Sequence, residues 1–276
     1  MRRSALAFLY VFAAVVTLVF LLLPVVAIFA HTTPGRLVGQ LSNPVVKDAA
    51  IVSLKTSLLA QLLILVFGTP AAYLIATRRF RGRSLAIALV ELPLVLPPAV
   101  AGIGLLAAFG RAGLLGSSLS ALGIQLPFTQ SAVTIAVAYV ASPLYVRQAI
   151  AAFEATDPNL TAASRTLGAG PARTFFRVVL PLARSGLIAG LALSFARGLG
   201  EFGATIMFAG SLEKVTQTFP LAIYAEFDVN FTATLAMSGV LVIFSIVLLA
   251  ALHTALSWQR SPSIASTSLF GLSRSS

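Results

Sequence analysis

Long apolar runs with almost no charge divide this chain, and they constrain its fold more than any other feature. Only 10% of the 276 residues are charged, whereas 58% are hydrophobic. A soluble domain contains about 25% charged residues, so this composition cannot supply a water-exposed surface. A transmembrane helix needs about 20 mostly apolar residues. The sequence therefore predicts an all-α polytopic membrane protein and excludes the soluble globular class.

Six runs are long enough to cross a bilayer. They cover Ser4–Ala30, Thr56–Thr77, Leu85–Phe109, Ser131–Phe153, Gly186–Phe208 and Thr232–Ser257. The first is too long for the core of a signal peptide, so we interpret residues 1–30 as a retained anchor helix. Residues Ala112–Gln130 are apolar but rich in Gly and Ser, and we interpret them as an external or re-entrant loop. Residues 257–276 are predicted to form a disordered cytoplasmic tail.

Basic residues are distributed unevenly between the two sides of these spans. Twelve arginines fall in one set of termini and connecting segments, and five lysines and arginines fall in the opposite set. The side richer in Lys and Arg faces the cytoplasm, so we expect both termini inside the cell. The same rule explains the net charge of +11 without a nucleic-acid partner.

Prolines interrupt three of the predicted spans. They are Pro70, Pro97, Pro98 and Pro143. Proline removes a backbone hydrogen bond and kinks a helix. Two interpretations stay open: the kinks serve packing alone, or they bend helices that line a pathway able to open and close.

The fifth span combines a ladder of small residues with a charged pair. The ladder recurs every fourth position and consists of Gly186, Gly190, Ser194 and Gly198. Small residues at this spacing let helices approach closely in lipid, so we expect this helix to be the most enclosed one. Arg197 and Glu201 are four residues apart and are expected to pair on one helix face. The pair is interpreted as a clasp beside a pathway, with a purely structural role as the alternative.

The sequence contains little that an enzyme uses. It has no cysteine, and its two histidines, His31 and His253, are predicted on opposite sides of the membrane. The span carboxylates Glu91 and Glu201 are isolated from each other, so neither a metal site nor a catalytic triad is expected. None of the three lysines follows a glycine, so no phosphate-binding P-loop is present. If this chain takes part in ATP-driven transport, another polypeptide must therefore hydrolyse the ATP.

The longest predicted cytoplasmic loop, residues 154–184, carries signals for two short helices. Asp157 is a suitable N-cap, Pro158 fits the first helical position, and Gly168 can end the helix in a left-handed conformation. A second helix is predicted to begin at Pro171 and to stop at Pro181. The loop is therefore interpreted as a helix-turn-helix at the membrane surface.

This loop resembles the "EAA" loop of ABC importer permeases, which has the pattern E-A-A-x3-G-x9-I-x-L-P. The corresponding positions in this chain are Ala162, Ala163, Ser164, Gly168, Leu180 and Pro181. Ala162 departs from the pattern, because it stands where the family has glutamate. The resemblance implies that the helix Asp157–Leu167 docks into a cleft of a separate ATPase and transmits its movement to the membrane helices.

Further stretches are similar to the molybdate, sulfate and tungstate branch of these permeases. They are Leu94–Gly102 and Phe195–Ile206, with Phe208–Gly210 and Thr216–Tyr224 most similar to molybdate permeases. The resemblance covers residues 50–256 and implies one type I (MetI-like) permease domain in a bacterial plasma (inner) membrane. The implied cargo is molybdate, with sulfate, thiosulfate or tungstate as the alternative.

The resemblance also implies partners and a pathway. The partners are a second copy of this chain, two cytoplasmic ABC ATPase subunits that hold ATP and Mg, and an external oxyanion-binding protein. The candidate pathway or gate residues are Ser194, Arg197, Gly200, Glu201, Gly203 and Thr205. A secondary transporter without an ATPase is the alternative from another class, and it predicts a coupling carboxylate at mid-membrane.

Overall fold

The computed structural model describes residues 2–258, which form fourteen α-helices, two π-helical turns and no strand. The helices are α1 (Arg2–Ala30), α2 (Pro34–Ser42), α3 (Pro44–Leu63), α4 (Thr69–Thr77), α5 (Arg83–Val95), α6 (Pro98–Phe109), α7 (Gly116–Ala121), α8 (Gln130–Glu154), α9 (Pro158–Thr166), α10 (Pro171–Thr174), α11 (Leu180–Leu199), α12 (Gly203–Ala209), α13 (Phe219–Phe227) and α14 (Phe231–Trp258). The tail predicted at 257–276 lies outside the described residues from residue 259 onward.

Five stretches of helix are long and apolar enough to cross a membrane, and a bent pair of helices makes a sixth when it is counted as one span. The five are Leu6–Ala30, Pro44–Thr77, Gln130–Glu154, Pro171–Leu199 and Phe231–Ala251. The bent pair is α5 with α6. The segment Ala112–Gln130 contains the short α7, the first residue of α8 and no further span. The prediction of an all-α membrane protein is confirmed, with six spans when the bent pair is counted as one.

The third predicted span, Leu85–Phe109, is wrong as a single helix. The chain bends by 112° between α5 and α6, across Leu96 and Pro97. Both residues have extended backbone, with ψ near 130°. A proline pushes the residue before it out of the helical region, and here Pro97 and Pro98 act in succession. Two consecutive prolines therefore break this span where one would kink it.

Pro70 and Pro181 lie inside continuous spans, because each follows a π-helical turn. The two turns cover Ile64–Gly68 and Phe175–Val179. Proline in an α-helix clashes with the carbonyl four residues earlier, and a wider turn relieves that clash. The prediction that Pro181 ends a surface helix is wrong, since Pro171–Leu199 continues as one span of 29 residues.

The fifth span begins earlier and ends earlier than Gly186–Phe208, so that prediction is also wrong. α11 ends at Leu199, residues 200–202 leave the helical path, and α12 is a separate helix. Glycine stands at both edges of this break, at Gly200 and Gly203. Glycine weakens a helix interior because it loses the most conformational freedom on folding, so the run of small residues that favours packing also favours the break.

α8 is the most enclosed span, and the expectation that the fifth span holds this place is wrong. Half of the residues in the most apolar stretch of α8 are buried, against a third for Pro171–Leu199. α3, α4, α11 and α12 all pack against α8, which continues through the buried Pro143. The glycines at 186, 190 and 198 of α11 serve this contact with α8: a Cβ atom at Gly186 would lie 2.5 Å from the Cβ of Ala152.

Candidate functional site

The two helix breaks, at residues 96–97 and 200–202, lie next to each other, and we call them the paired break. A Cβ atom at Gly203 would lie 2.7 Å from the Cβ of Pro98, and one at Gly102 would lie 2.6 Å from the carbonyl oxygen of Ala204. Only glycine permits these approaches, so α6 and α12 are joined closely. Irregular backbone at membrane depth is tolerated only inside protein or beside a water-filled cavity. The paired break is therefore the candidate pathway element.

Arg197 and Glu201 form the predicted ion pair at this break. The Nη1 atom of Arg197 is 2.8 Å from Oε2 of Glu201, whose side chain is only 1% exposed. Oε1 of Glu201 accepts a hydrogen bond of 2.8 Å from the backbone N–H of Ala204 and so caps α12. Glu201 lies in the break rather than on a helix face. The arginine side chain remains 33% exposed, so the pair presents its cationic partner outward.

The two hydroxyl candidates differ in their partners. Ser194 is fully buried, and its Oγ donates to Oε1 of Gln61 at 2.8 Å, which joins α11 to α3. Thr205 is also fully buried, but its Oγ1 has no hydrogen-bond partner in residues 2–258. The sequence analysis does not identify Gln61, although a side-chain amide within an apolar run is a signal for a hydrogen bond between helices. Gly200 adds no close contact, since a Cβ atom there would meet open space.

A second ion pair within the spans was not predicted. Nε of Arg147 is 3.0 Å from Oε1 of Glu91, which joins α8 to α5. Each of the two glutamates in the spans, Glu91 and Glu201, has an arginine partner. The Glu91 partner lies on another helix, so spacing along one helix could not reveal it. The only available signal was that two arginines and two glutamates occur inside apolar runs.

The loop at residues 154–184, called the coupling loop below, contains the predicted first helix. Asp157 accepts a hydrogen bond of 2.8 Å from the backbone N–H of Asn159 and caps α9. Gly168 has φ +80°, as predicted for a residue that ends the helix. Leu167 is 88% exposed just before it. α9 therefore presents an apolar side chain at its free end.

Two clefts flank α9. The first has a volume of about 560 Å³, and its lining includes Ala163, Ser164, Leu167, Arg173 and Pro181. The second has a volume of about 530 Å³, and its lining includes Ala162, Arg165, Arg78 and Glu154. Leu180 begins α11 and packs against the core between α4, α8 and α11. α9 therefore has an open cleft on each side and is accessible from both.

One side-chain contact ties α9 to the span that follows. Oγ of Ser164 is 2.9 Å from Oγ1 of Thr174, which is almost fully buried. Thr174 is the last residue of α10, and α10 forms the beginning of the continuous span Pro171–Leu199. The span that carries Arg197 near one end therefore contacts α9 at its other end.

Comparisons with known proteins agree with this arrangement. Residues 64–259 match the family described as "Binding-protein-dependent transport system inner membrane component". The chain is 40% identical to the molybdenum transport system permease protein ModB of Mycobacterium tuberculosis (strain H37Rv), over 83% of this chain and 87% of that protein. It is 38% identical to the sulfate transport system permease protein CysT of Salmonella typhimurium (strain LT2), over 77% of each chain.

Among solved structures, the chain resembles a bacterial alginate ABC transporter in complex with an alginate pentasaccharide-bound periplasmic protein. The TM-score is 0.69 at 16% sequence identity, and the match covers 94% of this chain and 95% of that one. At this identity the likeness shows a shared fold.

Proposed function

Because the chain belongs to the family of binding-protein-dependent transport system inner membrane components, we propose that it is the membrane-spanning permease subunit of an ATP-driven importer of molybdate. The substrate proposal depends on one observation, the 40% identity to a molybdenum transport permease over 83% of the chain. Sulfate is the second candidate, because a sulfate permease is 38% identical over 77% of the chain. Tungstate has the same charge and shape as molybdate and is the third candidate substrate.

The working assembly is a homodimer with two cytoplasmic ABC ATPase subunits and an external binding protein. The solved alginate transporter supports the last partner, since it was captured with a periplasmic protein. ATP and Mg belong to the ATPase subunits. The excess of arginine on one side supports cytoplasmic termini in a bacterial plasma membrane. With that orientation, α9 and its exposed Leu167 face the cytoplasm, where an ATPase is available.

The coupling loop passes movement to the paired break along one continuous span. α9 is capped by Asp157 and tied to α10 through Ser164, so it moves together with the start of Pro171–Leu199. At 1.5 Å per residue, about 39 Å separates Pro171 from Arg197. A rigid helix of this length converts a tilt at the ATPase into a shift at Arg197 and the break beyond it.

Arg197 contacts the passing anion in this proposal. Buried Glu201 neutralises the charge of Arg197 and fixes one side of its guanidinium. The Arg197 side chain is one-third exposed, which leaves N–H donors for an oxyanion. A neutralised cation binds a doubly charged ion weakly. Weak binding suits a permease, because the external protein selects the ion and the permease must release it.

Reconstitution tests the proposal directly. The chain, its cognate ATPase and its binding protein are placed in liposomes, and molybdate uptake is followed with and without internal or external ATP, with tungstate and sulfate as competitors. We expect uptake that requires ATP and the binding protein. Sulfate uptake that molybdate does not inhibit would contradict the substrate, and uptake driven by an ion gradient alone would contradict the class.

The orientation has its own test, because the chain contains no cysteine. Single cysteines at Ser117 and Gly170 should react with membrane-impermeant thiol reagents from outside and from inside, respectively. Labelling of Gly170→Cys from outside would refute the orientation and the ATPase contact of the coupling loop.

A further inference from the structure

Arg147 is the only exposed side chain of α8 between Ala132 and Ile150. The side chain is 59% exposed on the helix that is otherwise the most enclosed of the spans. Pro143 and Ile150, about one turn away on either side, are buried, and Leu144 is half-buried. A lipid-facing helix shows a stripe of large exposed apolar residues, whereas the only exposed residue about one turn from Arg147 is the small Ala151. The protein therefore leaves an opening at this arginine.

The guanidinium of Arg147 is paired through only one of its three nitrogen atoms within the described residues. Its Nε forms an ion pair with Glu91, 3.0 Å from Oε1, and within residues 2–258 the guanidinium has no further ion pair or hydrogen bond. Arginine carries five N–H donors in a planar fork, so the four on Nη1 and Nη2 are available. Charged groups within membrane spans face protein or a water-filled cavity, because hydrocarbon cannot solvate them. A half-exposed guanidinium with free donors thus indicates a hydrated site.

The position of Arg147 relative to Arg197 follows from the packing of α8 against α11. A Cβ atom at Gly190 would lie 3.0 Å from the Cβ of Gln148, and one at Gly198 would lie 2.8 Å from Cγ1 of Val137. The helices are therefore antiparallel, and Arg197 lies about two turns farther from the coupling loop than Arg147. At 1.5 Å per residue this separation is about 11 Å along the helix axis.

We propose that Arg147, held by Glu91, is a second anion-binding station of the pathway, and that its ligand is a doubly charged tetrahedral oxyanion. The proposal rests on the proposed function and deepens it. The planar fork of arginine matches the oxygens of such an ion. In the proposed homodimer each copy contributes one guanidinium to each station, and the paired glutamates offset their charge, so each station binds the doubly charged ion weakly. Two weak stations about 11 Å apart let the ion move inward without a tight site.

Charge rescue in the cysteine-free chain tests this assignment. Arg147→Cys is assembled with the ATPase and binding protein in liposomes, and uptake is measured before and after treatment with thiol reagents. We expect uptake to fall at least tenfold. Aminoethyl methanethiosulfonate, which restores a positive charge, should return uptake to at least a third of the wild-type rate, whereas the neutral methyl methanethiosulfonate should not. The wild-type complex treated in parallel controls for thiols on the other subunits.

A second variant covers the case in which Arg147→Cys does not assemble. Arg147→Gln/Glu91→Gln removes both charges and strands neither, so it should fold. It should lose uptake at least tenfold and keep the ATP hydrolysis that the binding protein stimulates within about threefold. Lys55→Gln is the matched control, since Lys55 bonds Gln130 at the opposite end of α8; its uptake should stay within twofold of wild type.

The outcomes separate this proposal from the proposed function. Wild-type uptake in Arg147→Gln/Glu91→Gln, or equal rescue by the neutral reagent, would overturn the anion station while leaving the transporter assignment intact. If the wild-type complex carries sulfate and not molybdate, the substrate proposal fails, and the same variants measured with sulfate still decide the role of Arg147.

Discussion

The paired break and the coupling loop are both irregular, but they are held in different ways. The paired break is enclosed, and its backbones touch through Gly102 and Gly203. The coupling loop is exposed, and caps such as Asp157 and Gly168 give it its shape. Changes in the first should disturb packing of the whole span bundle, whereas changes in the second should disturb only what docks there. The comparison thus separates residues needed for assembly from residues needed for coupling.

The largest effect is expected at Gly102. In Gly102→Ala the added methyl group would lie 2.6 Å from the carbonyl oxygen of Ala204 and 2.7 Å from the Cβ of Met207. Overpacking of this kind costs about 1–3 kcal/mol or more, because backbone must move. We expect little assembled dimer and no uptake, measured by size-exclusion chromatography after heating and by the liposome assay.

Gly104→Ala is the matched control on the same helix, since nothing lies within 4 Å of a Cβ atom there. It should behave as wild type in both assays. Equal behaviour of the two variants would show that α6 and α12 are not joined as described.

Glu201→Gln should have the next largest effect. The substitution leaves Arg197 without its buried partner, and breaking a buried pair costs about 3–5 kcal/mol, less here because Arg197 keeps some access to water. We expect assembly to fall more in Glu201→Gln than in Arg197→Gln/Glu201→Gln, while both variants lose uptake. Losses of assembly that simply add would indicate that the two residues do not interact.

Gly168→Val should act on coupling alone. Its φ of +80° disfavours a β-branched residue by about 1–2 kcal/mol, and the strain is confined to the exposed end of α9. We expect normal expression and dimerisation, weak co-purification of the ATPase, and no uptake.

Gly170→Val provides the comparison for this loop, because Gly170 has φ −68° and open space around it. That variant should retain the ATPase and transport. Normal uptake by Gly168→Val with the ATPase bound would remove the coupling role from this loop.

Ser164→Ala should have the smallest effect. It deletes the contact with Thr174, which is worth about 0.5–1.5 kcal/mol, and leaves a buried hydroxyl without its partner. We expect a two- to threefold fall in uptake per ATP hydrolysed, with assembly unchanged. In Ser164→Ala/Thr174→Val the tether is also absent but no unpaired hydroxyl remains, so a return to wild-type uptake per ATP in this double variant would contradict a role for the tether.

Local chemistry was predictable from the sequence, and long-range contacts were not. The caps of α9, the positive φ of Gly168 and the Arg197–Glu201 pair all involve neighbours within about one helical turn. The Arg147–Glu91 pair joins different spans and was missed. The prolines predicted to kink the spans had different outcomes, which depended on the flanking turns: Pro97 lies in a break, whereas Pro70 follows a π turn and stays in the helix.

The sequence by itself determined that this chain is an all-helical membrane protein with six apolar runs, because an uncharged run of about 20 residues satisfies its own backbone only as a helix in lipid. The tertiary structure alone decided which helix is enclosed and where two spans break. Small residues at every fourth position allow close packing on either side of a contact, so α11 carries the pattern while α8 occupies the centre. How deeply a helix is buried depends on the helices packed around it, and that packing is set only when the helices assemble.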